Sequence, residues 1–111
     1  FIKELSLLVS RLFELQPEIQ VVLCTPCLVG EDLSDKNKNN YFLNAYSKEI
    51  RSYSAIDSRV QICDLRQIVK QHLLNLLSTK NELTTDGIHL NGLGNSLVMR
   101  CLIKSFNKMG V

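Results

Sequence analysis

Asp86-Gly87-Ile88-His89 places a carboxylate three residues before an imidazole. A carboxylate held against one ring nitrogen of a histidine fixes its tautomer and stabilises the imidazolium. The other nitrogen is then free to take a proton from a nucleophile. These are two of the three members of a hydrolytic triad, so a nucleophile must be sought elsewhere. A second candidate is Cys24-Thr25-Pro26-Cys27, a pair of thiols at the spacing used for thiol-disulfide exchange. That chemistry wants the first cysteine at a helix N-terminus, where backbone amides lower its pKa. Leu28-Val29-Gly30-Glu31-Asp32 instead leads into a stretch without helical periodicity.

The remaining candidates have simpler explanations. His72 lies between Val69 and Leu73 in a helical pattern and is expected on a helix flank. Cys24 and Cys27 lack a second ligand pair at zinc spacing, and Cys63, His72 and His89 are scattered, so no metal site is expected. Gly87, Gly92 and Gly94 do not follow a strand at phosphate-loop spacing, and are expected to permit tight turns and close packing. No cofactor is implied.

Elements that would position these residues are legible in the periodicity. From Phe1 to about Leu15, apolar residues at Ile2, Leu5, Leu8, Val9, Leu12 and Phe13 recur at helical spacing, with charges opposite. Ile19 to Cys24 is a short β-branched run stopped by Thr25-Pro26, and Arg59 to Asp64 is a second. Runs apolar on both faces are what parallel strands show. Leu28 to Asn40 reads as an exposed loop. Asn39 or Asn40 is expected to cap a helix whose inward face is Phe42, Leu43, Ala45, Tyr46, Ile50 and Tyr53. Another helix starts at Leu65 and uses Ile68, Val69, Leu73, Leu76 and Leu77. Ser78 to Leu90 is a loop, and Asn91 or Gly92 opens a last helix through Leu93, Leu97, Val98, Cys101, Leu102 and Phe106. Strands alternating with helices imply right-handed crossovers and an α/β fold with a parallel sheet. Ligands of such sheets bind beyond the carboxyl ends of the strands. Cys24-Thr25-Pro26, Asp64 and the Asp86 to His89 loop are therefore expected on one rim.

Composition bounds the rest. The chain has 111 residues, 45% of them hydrophobic and 22% charged, as in one globular domain. A net charge of +2 without a basic stripe argues against nucleic acid as a partner. Charges interrupt every apolar run before it reaches bilayer length, and no signal-peptide pattern opens the chain. Opening on Phe1 inside a helical pattern, the chain is expected to be part of a larger domain. The cut sheet edge would then be able to pair with another chain. Cys24, Cys27, Cys63 and Cys101 sit in apolar surroundings and are expected to be reduced, which favours an intracellular setting.

Thr84-Thr85-Asp86-Gly87-Ile88-His89-Leu90-Asn91, followed by Gly94 and an apolar helix, closely resembles the last motif block of the SGNH, or GDSL, hydrolases. Val21 to Pro26 resembles that family's strand ending in Thr-Pro, and Val60 to Arg66 its later strand ending in Asp-Leu. The resemblance implies that residues 1–111 are the C-terminal part of a flavodoxin-like, three-layer α/β/α sandwich. It implies a serine esterase acting on short-chain acyl or acetyl esters of a carbohydrate or small alcohol. Asp86 would orient the ring and His89 would be the general base. The family's Gly-Asp-Ser block, which carries the nucleophile, has no counterpart here, nor have the blocks supplying its oxyanion donors. Gly30-Glu31-Asp32-Leu33-Ser34 is a superficial echo with no strand to aim Ser34. The chain is therefore expected to be inactive alone. The alternatives are a non-catalytic binding or interaction module on the same fold, and a thiol-disulfide oxidoreductase using Cys24 and Cys27.

Overall fold

The computed structural model describes residues 1–30, 36–75, 82–86 and 88–110. In chain order it contains α1 (Ile2–Leu15), β1 (Val21–Cys24), α2 (Lys38–Ser52), a 3-10 turn at Tyr53–Ala55, β2 (Val60–Cys63), α3 (Leu65–Asn75) and α4 (Gly92–Lys108). The two strands pair in parallel, Val21 beside Val60 and Cys24 beside Cys63. The described residues thus form a small α/β structure with a two-stranded parallel sheet and four helices, in the order the periodicity indicates.

Two apolar clusters position the elements. Val21 and Val60, adjacent in register, belong to one with Val9 of α1 and Tyr53, flanked by Leu5, Leu12 and Phe13. Side chains alternate along a strand, so Cys63 points away from that cluster, and it pairs with Cys101 of α4 as a disulfide with a Cα separation of 5.8 Å. The second cluster gathers Leu28, Val69 and Leu73 of α3, Leu83, and Leu97 of α4. It fixes the segment leading to Asp86 by burying Leu83 completely.

A polar knot ties the carboxyl ends of both strands to both ends of α2, through Asn40 near its start and Arg51 near its end. The Thr25 hydroxyl donates to Asp64 Oδ1 at 2.9 Å and accepts the Arg66 backbone N–H at 3.0 Å. Arg51 donates to Asp64 through Nε at 2.6 Å and Nη2 at 3.1 Å. The buried Arg66 donates to the carbonyl of Asn40, whose own side chain brackets the backbone of Val29 through two bonds of 2.9 Å. Burial alone raises the Asp64 carboxyl, but the bonds from Arg51 and Thr25 more than offset it and hold it below the ordinary carboxylate range.

Several expectations are corrected. The cap of α2 is Asn37, whose side chain accepts the Asn39 N–H, so the helix begins at Lys38. Its buried face is Asn40, Ser47 and Ile50, while Phe42, Ala45 and Tyr46 are exposed. The polar residues can lie inside because each is satisfied there, Asn40 by Val29 and Ser47 by the Leu43 carbonyl at 2.7 Å. In α4, Leu93 and Phe106 are exposed, and the buried positions are Gly94, Leu97, Cys101 and Ser105. Cys63 and Cys101 are paired rather than reduced, which removes part of the ground for an intracellular setting. Leu76, Leu77, Ser34 and Gly87 lie outside the described residues.

Candidate active site

The segment carrying Asp86 and His89 is a loop closed at its base. Thr84 and Leu90 form an antiparallel bridge, and the Asn91 N–H donates to the Leu83 carbonyl at 2.9 Å. Within it, the Thr85 N–H donates to the His89 carbonyl at 2.9 Å. Asn91 then caps α4, its Oδ1 accepting the Gly94 N–H at 3.0 Å and its Nδ2 donating to the Glu82 carbonyl at 2.6 Å. Helix start and loop are therefore one unit.

Inside that unit Asp86 uses both oxygens. Oδ1 accepts the backbone N–H groups of Ile88 at 3.0 Å and His89 at 2.8 Å, and Oδ2 lies 2.6 Å from His89 Nδ1. The His89 N–H, the His89 ring and the Ile88 N–H together hold the Asp86 carboxyl far below its usual range. It is a carboxylate at neutral pH. An anion against Nδ1 selects the tautomer with the proton on that nitrogen and turns the lone pair of Nε2 outward. Both side chains are open to solvent, Asp86 at 51% and His89 at 76%. Among the described residues nothing bonds to Nε2. The pair can accept a proton from a group brought to it, and it contains no nucleophile.

Asp86 and Ile88 form one wall of a cleft of about 480 Å³, facing Val29, Phe42, Leu43 and Tyr46. Leu43 and Tyr46 also line a second cleft of about 580 Å³ that reaches Leu23, Thr25 and Leu65 at the strand ends. Of the three segments expected on one rim, Thr25 and Asp64 are bonded to each other, while the Asp86 loop borders a separate cleft that shares only Leu43 and Tyr46 of α2 with the one at the strand ends. Thr25 and Asp64 stand at the strand ends where the sequence places a ligand rim, whereas Phe42 and Tyr46 carry no motif or spacing that marks them as site residues. The local signal for the exposed side of α2 is that its polar Asn40 and Ser47 share a face with Ile50.

The thiol pair differs from what exchange chemistry needs. Cys24 and Cys27 are not bonded to each other, and among the described residues the next helix after Cys27 is α2, beginning at Lys38. Burial pushes both thiols up, and Cys24 adds to the rise at Cys27 against the opposing charge of Arg66. His72 is half-buried in α3, with no hydrogen-bond partner for Nε2 among the described residues. No group of three His, Cys, Asp or Glu residues that could hold a metal occurs among the described residues. No helix among them is long and apolar enough to cross a membrane. Compared with family models, curated proteins and solved structures, the chain matches none of them.

Proposed function

We propose that Asp86 and His89 are the orienting carboxylate and the general base of a serine-dependent carboxylic ester hydrolase of the SGNH type. The observation that carries this is the 2.6 Å contact between Asp86 Oδ2 and His89 Nδ1, on an imidazole open to solvent. The sandwich architecture of that family is part of the same reading. It is supported by the alternation that sends Val60 into a cluster with α1 and Cys63 to α4.

In this mechanism a serine Oγ attacks the acyl carbonyl carbon while His89 Nε2 takes its proton. The tetrahedral intermediate collapses, the C–O bond to the alcohol breaks, and Nε2 gives the proton to the leaving alkoxide. Water then attacks the acyl-enzyme, its proton passing through Nε2 to the serine. The carboxylate of Asp86 stabilises the imidazolium in both halves. No serine of this chain stands in a Gly-Asp-Ser block, so the reading assigns the nucleophile and the oxyanion donors to sequence beyond these 111 residues.

The test is covalent labelling. A protein expressed from the whole reading frame is treated with a serine-directed fluorophosphonate, and the labelled residue is identified by mass spectrometry. Labelling of one serine, lost in His89→Ala, is the expected result. Absence of labelling in the folded protein overturns the esterase and leaves a non-catalytic binding module. The oxidoreductase reading has less support, because a nucleophilic thiol needs its pKa lowered and both thiols here are raised.

A further inference from the structure

We infer that the outward side of α4 docks on an anionic lipid surface, with Met99, Ile103 and Phe106 entering the headgroup boundary and Arg100, Lys104 and Lys108 meeting the lipid charges. This does not rest on the esterase reading and adds a partner to it.

Three observations lead to it. The first is where the apolar side chains of α4 stand. Gly94, Leu97, Cys101 and Ser105 form its buried face. At 3.6 residues per turn, Met99, Ile103 and Phe106 fall on the opposite side, and they are 63%, 50% and 44% exposed. Gly92, Ser96 and Asn107 complete that side without a charge. A helix that covers a core from one side normally turns charged and polar residues outward. Single exposed apolar residues need no explanation, whereas a row of three large ones marks a binding surface. Helices are the outer layers of a layered α/β fold, so nothing of the fold itself stands over this side.

The second is charge. Of the thirteen bases in the chain, five lie on α3 and α4, and none of its eleven acids does. The net charge of +2 conceals this concentration. Arg66 is buried, whereas Lys70, Arg100, Lys104 and Lys108 are exposed. Arg100, Lys104 and Lys108, four residues apart, form a row flanking the apolar side, and none of the ion pairs among the described residues involves them. The third is the groove beside that row. Ile68 and Gln71 of α3 line a cleft of about 440 Å³ with Arg100, Ile103 and Lys104 of α4, which leaves room for a lipid headgroup between cations and apolar side chains.

An uncharged apolar row flanked by cations is the pattern of helices that lie in a membrane interface. Long basic side chains lay their stems along apolar surface and carry the charge out to the headgroups. A second copy docked through the same side would offer the basic row no acid, whereas an anionic bilayer presents negative charge across its whole plane. None of the described helices is long and apolar enough to cross a membrane, so the contact is one of surface docking.

The test is sedimentation of protein expressed from the whole reading frame with vesicles of phosphatidylcholine alone, or of phosphatidylcholine and phosphatidylserine in equal amounts. Partition onto the mixed vesicles is expected, with little onto phosphatidylcholine alone, and it should fall as salt is raised. Arg100→Gln and Lys104→Gln are each expected to weaken it by about fivefold. Met99→Ser with Ile103→Ser should weaken it by about tenfold at unchanged charge. All four positions are exposed, and circular dichroism checks that the variants keep the fold. Lys3→Gln with Leu7→Ser, equally exposed on α1, should leave partition unaltered. No partition onto the mixed vesicles, equal partition onto both kinds, or partition indifferent to salt or to the α4 changes overturns the inference. A dimer that Met99→Ser with Ile103→Ser turns into a monomer, without vesicle binding in either form, assigns the face to a second copy and overturns it too.

Discussion

A β-carbon placed on Gly94 would stand 2.4 Å from the carbonyl oxygen of Leu83 and 2.9 Å from Leu90 Cδ2. The first turn of α4 thus lies directly against the base of the loop that carries Asp86 and His89, and only a residue without a side chain permits the approach. Gly94→Ala is expected to lower stability by about 1–3 kcal/mol, because a backbone atom must give way. Gly92→Ala meets nothing within 4 Å, and is expected to leave stability unchanged or raise it by up to about 1 kcal/mol. Denaturant unfolding of the two variants makes the comparison, and equal midpoints would contradict the contact.

Asp86→Asn separates the two roles of the carboxylate. The amide oxygen can still accept the Ile88 and His89 N–H groups, so the turn survives, but an NH₂ group against the ring favours the wrong tautomer. If the pair serves a serine, kcat falls by roughly 10³–10⁴ with the fold intact. The acid stability profile tests the same contact without a substrate. The folded pKa of Asp86 is depressed, so its contribution is fully present above the unfolded value of about 3.9 and is lost as pH falls below it toward the folded value. The stability gap between wild type and Asp86→Asn should shrink as pH drops below about 4. A gap independent of pH would mean that Asp86 is not held as a carboxylate.

Asp64 does a different task with the same chemistry. Asp64→Ala removes the acceptor of Thr25 and both Arg51 bonds, and is expected to cost about 1–3 kcal/mol. The Arg11 and Glu14 pair, two-thirds exposed on α1, sets the comparison. Glu14→Gln should cause no measurable loss, since exposed pairs contribute little. Chemical denaturation at pH 7 checks both. Equal effects would show that the knot at the strand ends has no structural weight.

The legible parts of the chain were those set by local rules. Ile2–Leu15 shows its amphipathic period, Val21–Cys24 and Val60–Cys63 are short β-branched runs, and Asp86 and His89 meet because a tight turn brings residues three apart together. What was not legible depends on partners distant in sequence. Thr25 bonds to Asp64 from 39 residues away, and Cys63 reaches Cys101 across 38. Apolar content alone points the face of α2 to Phe42 and Tyr46. The choice is made instead by the satisfied polar groups of Asn40 and Ser47, which let α2 bury that side. The side left outside lines the cleft beside Asp86.

The Cys63 and Cys101 pairing gives the last test, since it joins β2 directly to the helix that begins beside His89. Cys63 is fully buried and Cys101 nearly so, whereas Cys24 and Cys27 are unpaired. Alkylation in denaturant without reductant should therefore modify two cysteines, and four after reduction. Closing a loop of 38 residues removes unfolded-state entropy equivalent to about 4 kcal/mol. Reduction or Cys101→Ala should lower stability by a substantial part of that amount. The entropy is lost only from the unfolded chain, so Cys101→Ala under reducing conditions should cost far less, leaving only the packing of one buried sulfur. The dependence of the Cys101→Ala penalty on reductant thus separates the covalent link from the contact. A penalty equal in both conditions, or four thiols alkylated without reduction, would show that α4 is held against β2 by packing alone.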